Sequence, residues 1–186
     1  AMKKRIAIFA SGKGSNAKAI IDYFKNSETI AVSMIATNNP NAGVLAIAKE
    51  NNINTFIFSR EELQNEASFL AHISDIDYIV LAGFLWLIPS YLVKHFPNRI
   101  INIHPALLPK FGGKGMYGMR VHEAVHVAQE VETGITIHFV NEHYDEGTYI
   151  MQQKVSITIH DTPESIANKV LQLEHQWYPK AIEQTV

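Results

Sequence analysis

Asn102 and His104 stand two residues apart at the end of an apolar run, Arg99 to Ile103, and Pro105-Ala106-Leu107-Leu108-Pro109 follows at once. On an extended chain residues i and i+2 share a face, so this spacing puts an amide beside an imidazole. Further on, Tyr144-Asp145-Glu146-Gly147 offers a carboxylate on a turn. An amide donor, a histidine and a carboxylate form a minimal set for moving an acyl group, because a tetrahedral oxyanion needs donors and a proton carrier. Each member also has a plain reading. Asp-Glu-Gly is ordinary turn chemistry, and Asn102 and His104 also fit a strand-end amide and a core histidine. Two features favour chemistry for that pair. They sit at the carboxyl end of an expected parallel strand, where open α/β sheets bind ligands, and Pro105 and Pro109 fix the chain direction just after them.

A second motif is Ala10-Ser11-Gly12-Lys13-Gly14-Ser15-Asn16, between an expected strand and helix. Glycines there let backbone N–H groups approach an anion, and a helix N-terminus adds positive potential. Gly12 and Gly14 supply the approach, and Ser15 and Asn16 can donate to phosphate oxygens. The loop lacks the Gly-Lys-Ser/Thr ending of the Walker pattern, and Ala17 breaks Gly-x-Gly-x-x-Gly. A monophosphate suits it better than a dinucleotide. The alternative is a plain glycine turn with Ser15 as N-cap.

Leu81 to Pro89 (LAGFLWLIP) leaves a strand through Gly83 into two aromatics and several aliphatics. It reads either as core or as a slot for a flat ring, with loop backbone groups meeting the ring edge. His138, in Thr136-Ile137-His138-Phe139, reads as a core histidine or one supporting the site. His122 and His126 lie four apart beside Glu123. That spacing has one residue more than the His-Glu-x-x-His zinc motif and lacks a third ligand, so no metal is expected; His122 facing the 110–118 loop fits better.

The elements that must position these residues alternate. Arg5 to Ala10, Ile30 to Ala36, Thr55 to Phe58, Tyr78 to Ala82 and Arg99 to Ile103 read as strands. Helices are expected over Ser15 to Lys25, from about Ala42 to Glu50, and from Ser59 to about Ile73. The last starts with a Ser59/Glu62 capping box. A short helix over Pro89 to His95 precedes the fifth strand. Apolar strand runs alternating with helices predict a parallel, doubly wound sheet. The pattern then changes. Lys110 to Gly118 holds four glycines in nine residues, which predicts a mobile loop. A helix follows over Val121 to Glu130. Gly134 to Asn141 and Tyr149 to Ile159 alternate like antiparallel strands, and Asp161-Thr162-Pro163-Glu164 opens a long final helix with proline in its first turn.

The chain has 186 residues, 47% hydrophobic and 18% charged, with a net charge of −2. This length and composition predict one soluble domain over residues 1–186. The charge and a pI near 6.5 argue against a broad nucleic-acid surface. No cysteine is present, which removes disulfides, thiolate metal sites and cysteine nucleophiles. No apolar run reaches the roughly 18 residues of a membrane span, and the apolar stretch after Lys3-Lys4-Arg5 is too short for a signal peptide. A cytoplasmic location is expected. A nicotinamide oxidoreductase is disfavoured by the broken glycine pattern and by Thr37-Asn38-Asn39 where an acidic residue would end the second strand.

Taken in order, these residues resemble the phosphoribosylglycinamide formyltransferase family, within the wider formyltransferase superfamily. The likeness runs from about residue 3 to 180. It rests on Gly12-Lys13-Gly14-Ser15-Asn16, Ser59-Arg60-Glu61, Leu81-Ala82-Gly83-Phe84, Asn102-Ile103-His104-Pro105 with Leu107-Leu108-Pro109, Gly134 to Val140, Asp145-Glu146-Gly147 and Glu174-His175. The implied fold is α/β: a doubly wound, mostly parallel, twisted Rossmann-like sheet with an antiparallel C-terminal portion and a long C-terminal helix. The N-terminal half would bind the phosphate and ribonucleotide, and the C-terminal half would hold folate and do the chemistry.

The resemblance implies direct formyl transfer from 10-formyltetrahydrofolate, as co-substrate, to the amine of glycinamide ribonucleotide, without a metal. It makes Asn102, His104 and Asp145 the catalytic set. Gly12, Gly14, Ser15 and Asn16 would hold the ribonucleotide phosphate, and Glu174 its ribose. Phe84, Leu85, Trp86, Leu87, Ile88, Val140 and Asn141 would hold the folate, with Arg60 as an anion contact. The chain would act as a monomer or homodimer, without nucleic acid or membrane. Three departures stand out: Trp86 sits where family members often carry arginine, the 110–118 loop is richer in glycine, and Arg120 replaces a histidine. Within the superfamily the alternatives are a formyltetrahydrofolate hydrolase or another formyltransferase, and outside it a non-catalytic phosphosugar-binding module, which would have no need of Asp145 beside His104.

Overall fold

Ile6, Ala7, Ile8 and Phe9 are fully buried, as expected of a strand covered on both faces in a parallel sheet. They form most of β1 (Lys4–Phe9). The computed structural model describes residues 2–143 and 146–186. The described chain divides into two compact units, one running to Ile101 and the other Asn102–Thr185. Its seven strands pair in the order β3-β2-β1-β4-β5-β6-β7.

In the first unit, β1 pairs in parallel with β2 (Ile30–Thr37) on one side and β4 (Tyr78–Leu81) on the other. Beyond β2 lies β3 (Asn54–Ile57), and β4 pairs with the start of β5 (Ile100–His104). The chain therefore moves outward from β1 through β2 and β3, then returns to the other side of β1 for β4. That reversal leaves a crevice beyond the carboxyl ends of β1 and β4, the place where such sheets take ligands. Helices α1 (Ser15–Phe24), α2 (Val44–Glu50), α3 (Arg60–Gln64), α4 (Glu66–His72) and α5 (Ser90–His95) connect the strands. An aromatic cluster of Phe9, Phe56, Phe58 and Phe69 packs with ring centroids 5.1–6.2 Å apart.

The second unit contains α6 (Met119–Val127), an antiparallel pair β6 (Glu132–Phe139) and β7 (Tyr149–Ser156), and the 23-residue α7 (Pro163–Thr185). Thr162 starts α7: its hydroxyl accepts from Ser165 N at 3.1 Å, while Ser165 Oγ accepts from Thr162 N at 2.8 Å. Asp161 adds a bond from Lys169 at 2.8 Å. No described helix is long and apolar enough to cross a membrane.

Two local expectations are corrected. The helix expected from Ser59 to about Ile73 breaks after Gln64. The Ser59/Glu62 capping box is present, but Asn65 leaves the helical region and caps a second helix through Ser68 N at 3.3 Å. A short polar side chain competing for backbone N–H groups stops one helix and starts the next. The N-cap of α1 is Gly14, not Ser15; Ser15 is the first helical residue.

Candidate functional site

The turn between β1 and α1 is set by backbone. Gly14 has φ 82°, in the left-handed region, and a Cβ there would lie 2.7 Å from Val44 Cγ2, so both conformation and close approach demand glycine. Val44 N donates to Gly12 O at 3.1 Å, tying the loop to the start of α2. A glycine cap has no side chain to accept from the first turn, and α1 carries no side-chain cap. Its leading N–H groups are thus presented for an anion. Ser15 is exposed and Asn16 half-buried at that end of the helix.

The neighbouring turn after β4 is locked to the same place. Ser11 N donates to Gly83 O at 3.1 Å, and Ser11 Oγ accepts from Leu85 N at 2.9 Å while donating to Asn38 Oδ1 at 2.6 Å. Gly83 is left-handed at φ 74°. The segment is split in burial: Ile88 is core at 6% exposure, while Leu85 and Leu87 are 65% and 51% exposed. Phe84 and Trp86 are half-buried. Arg60, the first residue of α3, lays its guanidinium 4.3 Å from the centre of the Trp86 ring. Gly12, Gly14, Ser15, Asn16, Arg60 and Phe84 to Ile88 therefore all belong to the first unit, on loops and helix starts that follow strands.

In the second unit Asn102 and His104 lie at the end of β5, as the i, i+2 spacing demands. His104 is buried and Asn102 half-buried. Asn102 Nδ2 lies 3.3 Å from His138 Nε2, and His138 Nδ1 lies 3.0 Å from Phe139 O. The two contacts agree on one tautomer: Nδ1–H donates to the carbonyl, and Nε2 accepts from the amide. One amide hydrogen of Asn102 is thereby committed and its direction fixed, leaving the other to point elsewhere. His104 Nε2 donates to Phe111 O at 2.7 Å.

The Pro105–Pro109 turn is held by side chains from the antiparallel pair. Thr136 Oγ1 donates to Ala106 O at 2.8 Å and accepts from Leu108 N at 3.0 Å. Gln152, directly opposite Thr136 on β7, donates to the same hydroxyl at 2.9 Å and to Leu108 O at 3.0 Å. Gly134, Thr136 and His138 alternate along β6, so one strand face serves the whole strand end. At Gly134 a Cβ would sit 1.9 Å from Gln153 O and 2.8 Å from a Leu107 methyl.

The roles of Thr136 and Gln152 escape a reading of the sequence. The only signal is the i, i+2, i+4 rhythm of Gly134-Ile135-Thr136-Ile137-His138, which marks a functional face of a strand without naming its partners. Val140 and Asn141 are half-buried just past β6. The Asn141 side chain bonds to His143 N at 2.8 Å and Glu146 O at 3.2 Å, so it stabilises its own turn. Asp145 lies outside the described residues. Glu174 is half-buried on α7, and its charge, added to complete burial, holds the Tyr178 hydroxyl well above its ordinary range. Burial pushes the His122 imidazole down, and the charge of His104 pushes the same way. Among the described residues no three His, Asp or Glu side chains gather as metal donors.

The formyl transferase family model matches residues 4–182. The chain belongs to that family. It is 39% identical over 97% of its length to the chloroplastic phosphoribosylglycinamide formyltransferase of Arabidopsis thaliana, covering 64% of that protein. It is 37% identical over the same share to the Bacillus subtilis phosphoribosylglycinamide formyltransferase, covering 94% of it. The chain thus spans somewhat less than two thirds of the plant relative and nearly all of the bacterial one. A crystal structure of phosphoribosylglycinamide formyltransferase from Anaplasma phagocytophilum superposes with a TM-score of 0.87 at 36% identity, covering 98% of this chain and 86% of that one. The family fold is the doubly wound, mostly parallel sheet with an antiparallel end and a long last helix, as the strand pattern predicts.

Proposed function

We propose that this formyl transferase moves the formyl group of 10-formyltetrahydrofolate to the amine of glycinamide ribonucleotide, in the synthesis of purines. The observation that carries the reading is the Asn102 amide, aimed by His138 and set two residues from His104, in a chain that matches its family almost end to end. The uncapped glycine start of α1 suits the ribonucleotide phosphate, with Gly12, Gly14, Ser15 and Asn16 as its holders and Glu174 as the ribose contact. Phe84, Leu85, Trp86, Leu87 and Ile88, with Val140 and Asn141, suit the folate, and Arg60 its negative end.

The amine attacks the formyl carbon, and the carbonyl oxygen takes the electron pair. Asn102 donates its uncommitted amide hydrogen to that oxyanion. His104 donates from Nε2, the same N–H that meets Phe111 O in this conformation. The ammonium formed on attack gives up a proton, and the folate nitrogen gains one as the C–N bond breaks. Asp145 is assigned to keep His104 charged and to place the water that carries this proton. One preorganised donor of this kind is worth about 3 kcal/mol, roughly a hundredfold in rate. The 110–118 loop, with Gly113, Gly115 and Gly118 all at positive φ, is assigned to close over the substrates and exclude water. The proposal includes a single functional domain, a cytoplasmic location and action as a monomer or homodimer.

The test is a spectroscopic assay of 10-formyltetrahydrofolate with and without glycinamide ribonucleotide. Folate turnover only with the amine supports the transferase. Turnover that ignores it makes the chain a hydrolase, and no turnover in either case removes the reading.

A further inference from the structure

Thr37-Asn38-Asn39 closes β2 at the place where a dinucleotide-binding sheet would put an acidic residue. Strand register shows what stands there instead. Phe9 pairs with Ala36 on one side and with Leu81 on the other. Two residues further on, Ser11, Asn38 and Gly83 lie level at the carboxyl ends of β1, β2 and β4. Ser11 sits in the middle and is 7% exposed.

Every polar group of Ser11 is engaged. Its N donates to Gly83 O at 3.1 Å, and its O accepts from Asn39 Nδ2 at 3.3 Å. Its hydroxyl accepts from Leu85 N at 2.9 Å, so its single hydrogen is left for Asn38 Oδ1 at 2.6 Å. That distance suits O–H···O and is short for N–H···O. Asn38 therefore acts as the acceptor that turns the Ser11 lone pairs toward Leu85.

Asn39 works on the other side. Its N donates to Thr37 Oγ1 at 3.2 Å, its Oδ1 accepts from Asn41 N at 2.9 Å, and its O accepts from Ala42 N at 3.1 Å. The turn it shapes leads into Gly43 and Val44, which press on Lys13 and Gly14, and Val44 N donates to Gly12 O at 3.1 Å. Asn39 thus backs the glycine loop, and Asn38 backs the turn after β4 through Ser11.

We propose that Asn38 and Ser11 are positioning residues for the formyl donor, holding the Leu85 backbone so that the Phe84–Ile88 turn is set before the donor arrives, while the adjacent Asn39 serves the ribonucleotide side alone. This rests on the formyl-transfer reading above. Two neighbouring amides of one turn then divide the two substrates between them. Ser11 is covered, so it acts through Leu85 N rather than on a ligand.

The experiment measures kcat, both KM values and the melting temperature for wild type, Ser11→Ala, Asn38→Leu, Asn38→Asp, Asn39→Ala and the double variant Ser11→Ala/Asn38→Leu. Ser11→Ala and Asn38→Leu each raise KM for 10-formyltetrahydrofolate by roughly three- to tenfold, the worth of about one net hydrogen bond. KM for glycinamide ribonucleotide and kcat stay within about twofold, as for a single small perturbation away from those contacts. The double variant is no worse than Ser11→Ala, because the pair acts as a unit. Asn38→Asp keeps an acceptor for the hydroxyl and keeps most of the donor affinity. Asn39→Ala raises KM for the ribonucleotide and leaves that for the donor. Ile73→Val, in the core of the same unit at 1% exposure, lowers the melting temperature and moves neither KM.

Asn38→Leu leaves β1 intact and carries the same expectation if Ser11→Ala does not fold. Equal rises in both KM values for Asn38→Leu overturn the proposal, as does an unchanged donor KM. Asn38→Asp as poor as Asn38→Leu also overturns it, since the acceptor would then not be what matters. Failure of wild type to formylate glycinamide ribonucleotide would instead remove the earlier reading, so the two failures are distinguishable.

Discussion

The two turns that carry the proposed chemistry are built in opposite ways. The Gly12–Asn16 turn is shaped by what is missing: a left-handed glycine, no side-chain cap, and a backbone pressed against Val44. The Asn102–Pro109 turn is shaped by side chains that reach it from β6 and β7. Thr136 and Gln152 satisfy Ala106 and Leu108, and His138 aims Asn102. A loop that receives a ligand's anion needs exposed backbone donors. A strand end that stabilises a transition state needs donors fixed in direction before the reaction starts. The first requirement is met by local conformation, the second only by contacts across 16 to 44 residues of sequence.

This contrast can be broken at either end. The largest expected effect is at the side-chain turn: Asn102→Ala lowers kcat about a hundredfold or more, by removing a preorganised donor. Asp145→Asn lowers kcat by a similar factor, by removing the carboxylate assigned to keep His104 charged and to place the water. Circular dichroism and melting should stay near wild type, and a rate within a few-fold of wild type in either variant would sink the assignment. At the backbone turn, Gly14→Val forces a branched side chain onto Val44 at a positive φ. It costs about 1–3 kcal/mol of stability, read by urea denaturation, and it raises KM for the ribonucleotide more than it lowers kcat. A kcat loss with KM unmoved would mean that the two turns are not separate in function.

Thr136→Val keeps shape and removes the hydroxyl that three partners share. Stranding Leu108 N and Ala106 O costs about 1–3 kcal/mol. The matching loss in kcat should exceed that of a surface control such as Lys154→Ala; equal kcat in the two would show that the Thr136 clamp does not position the strand end.

The smallest effect is in acid, at the start of α7. Asp161 is held down to about 2 by the Lys169 ammonium, with Thr158 N and Ser165 Oγ adding to it. A folded-state value below the ordinary 3.8 stabilises the fold above that pH, and the gain is lost as pH falls through 3.8 toward about 2. Asp161→Asn should flatten this part of the stability curve and leave neutral-pH kcat alone. An unchanged acid limb would contradict it.

Much of the fold is legible in the chain. Apolar runs such as Ile6 to Phe9 and Ile79 to Leu81 can only be buried strands, and the Ser59/Glu62 box and Pro163 mark helix starts by short-range chemistry. The strand bounds differ from expectation by only a residue or a few. The break at Asn65 shows the limit of periodicity, since a helical rhythm continues across a polar residue that caps the next helix. The candidate site divides in the same way. Gly14 and the Asn102/His104 spacing are visible as residues, because glycine chemistry and the two-residue period of a strand are local.

What the sequence determined by itself was the alternation of elements, the glycine turn and the identity of the reactive side chains, all set by interactions within a few residues. The tertiary structure alone decided that β4 returns to the far side of β1, that Thr136 and Gln152 meet at the Pro105–Pro109 turn, and that Arg60 lies on Trp86. Each of these depends on strand register and loop closure between distant segments. A one-residue slip would send the same side chains to the opposite face, and no local pattern of residues specifies which distant partner a face will meet.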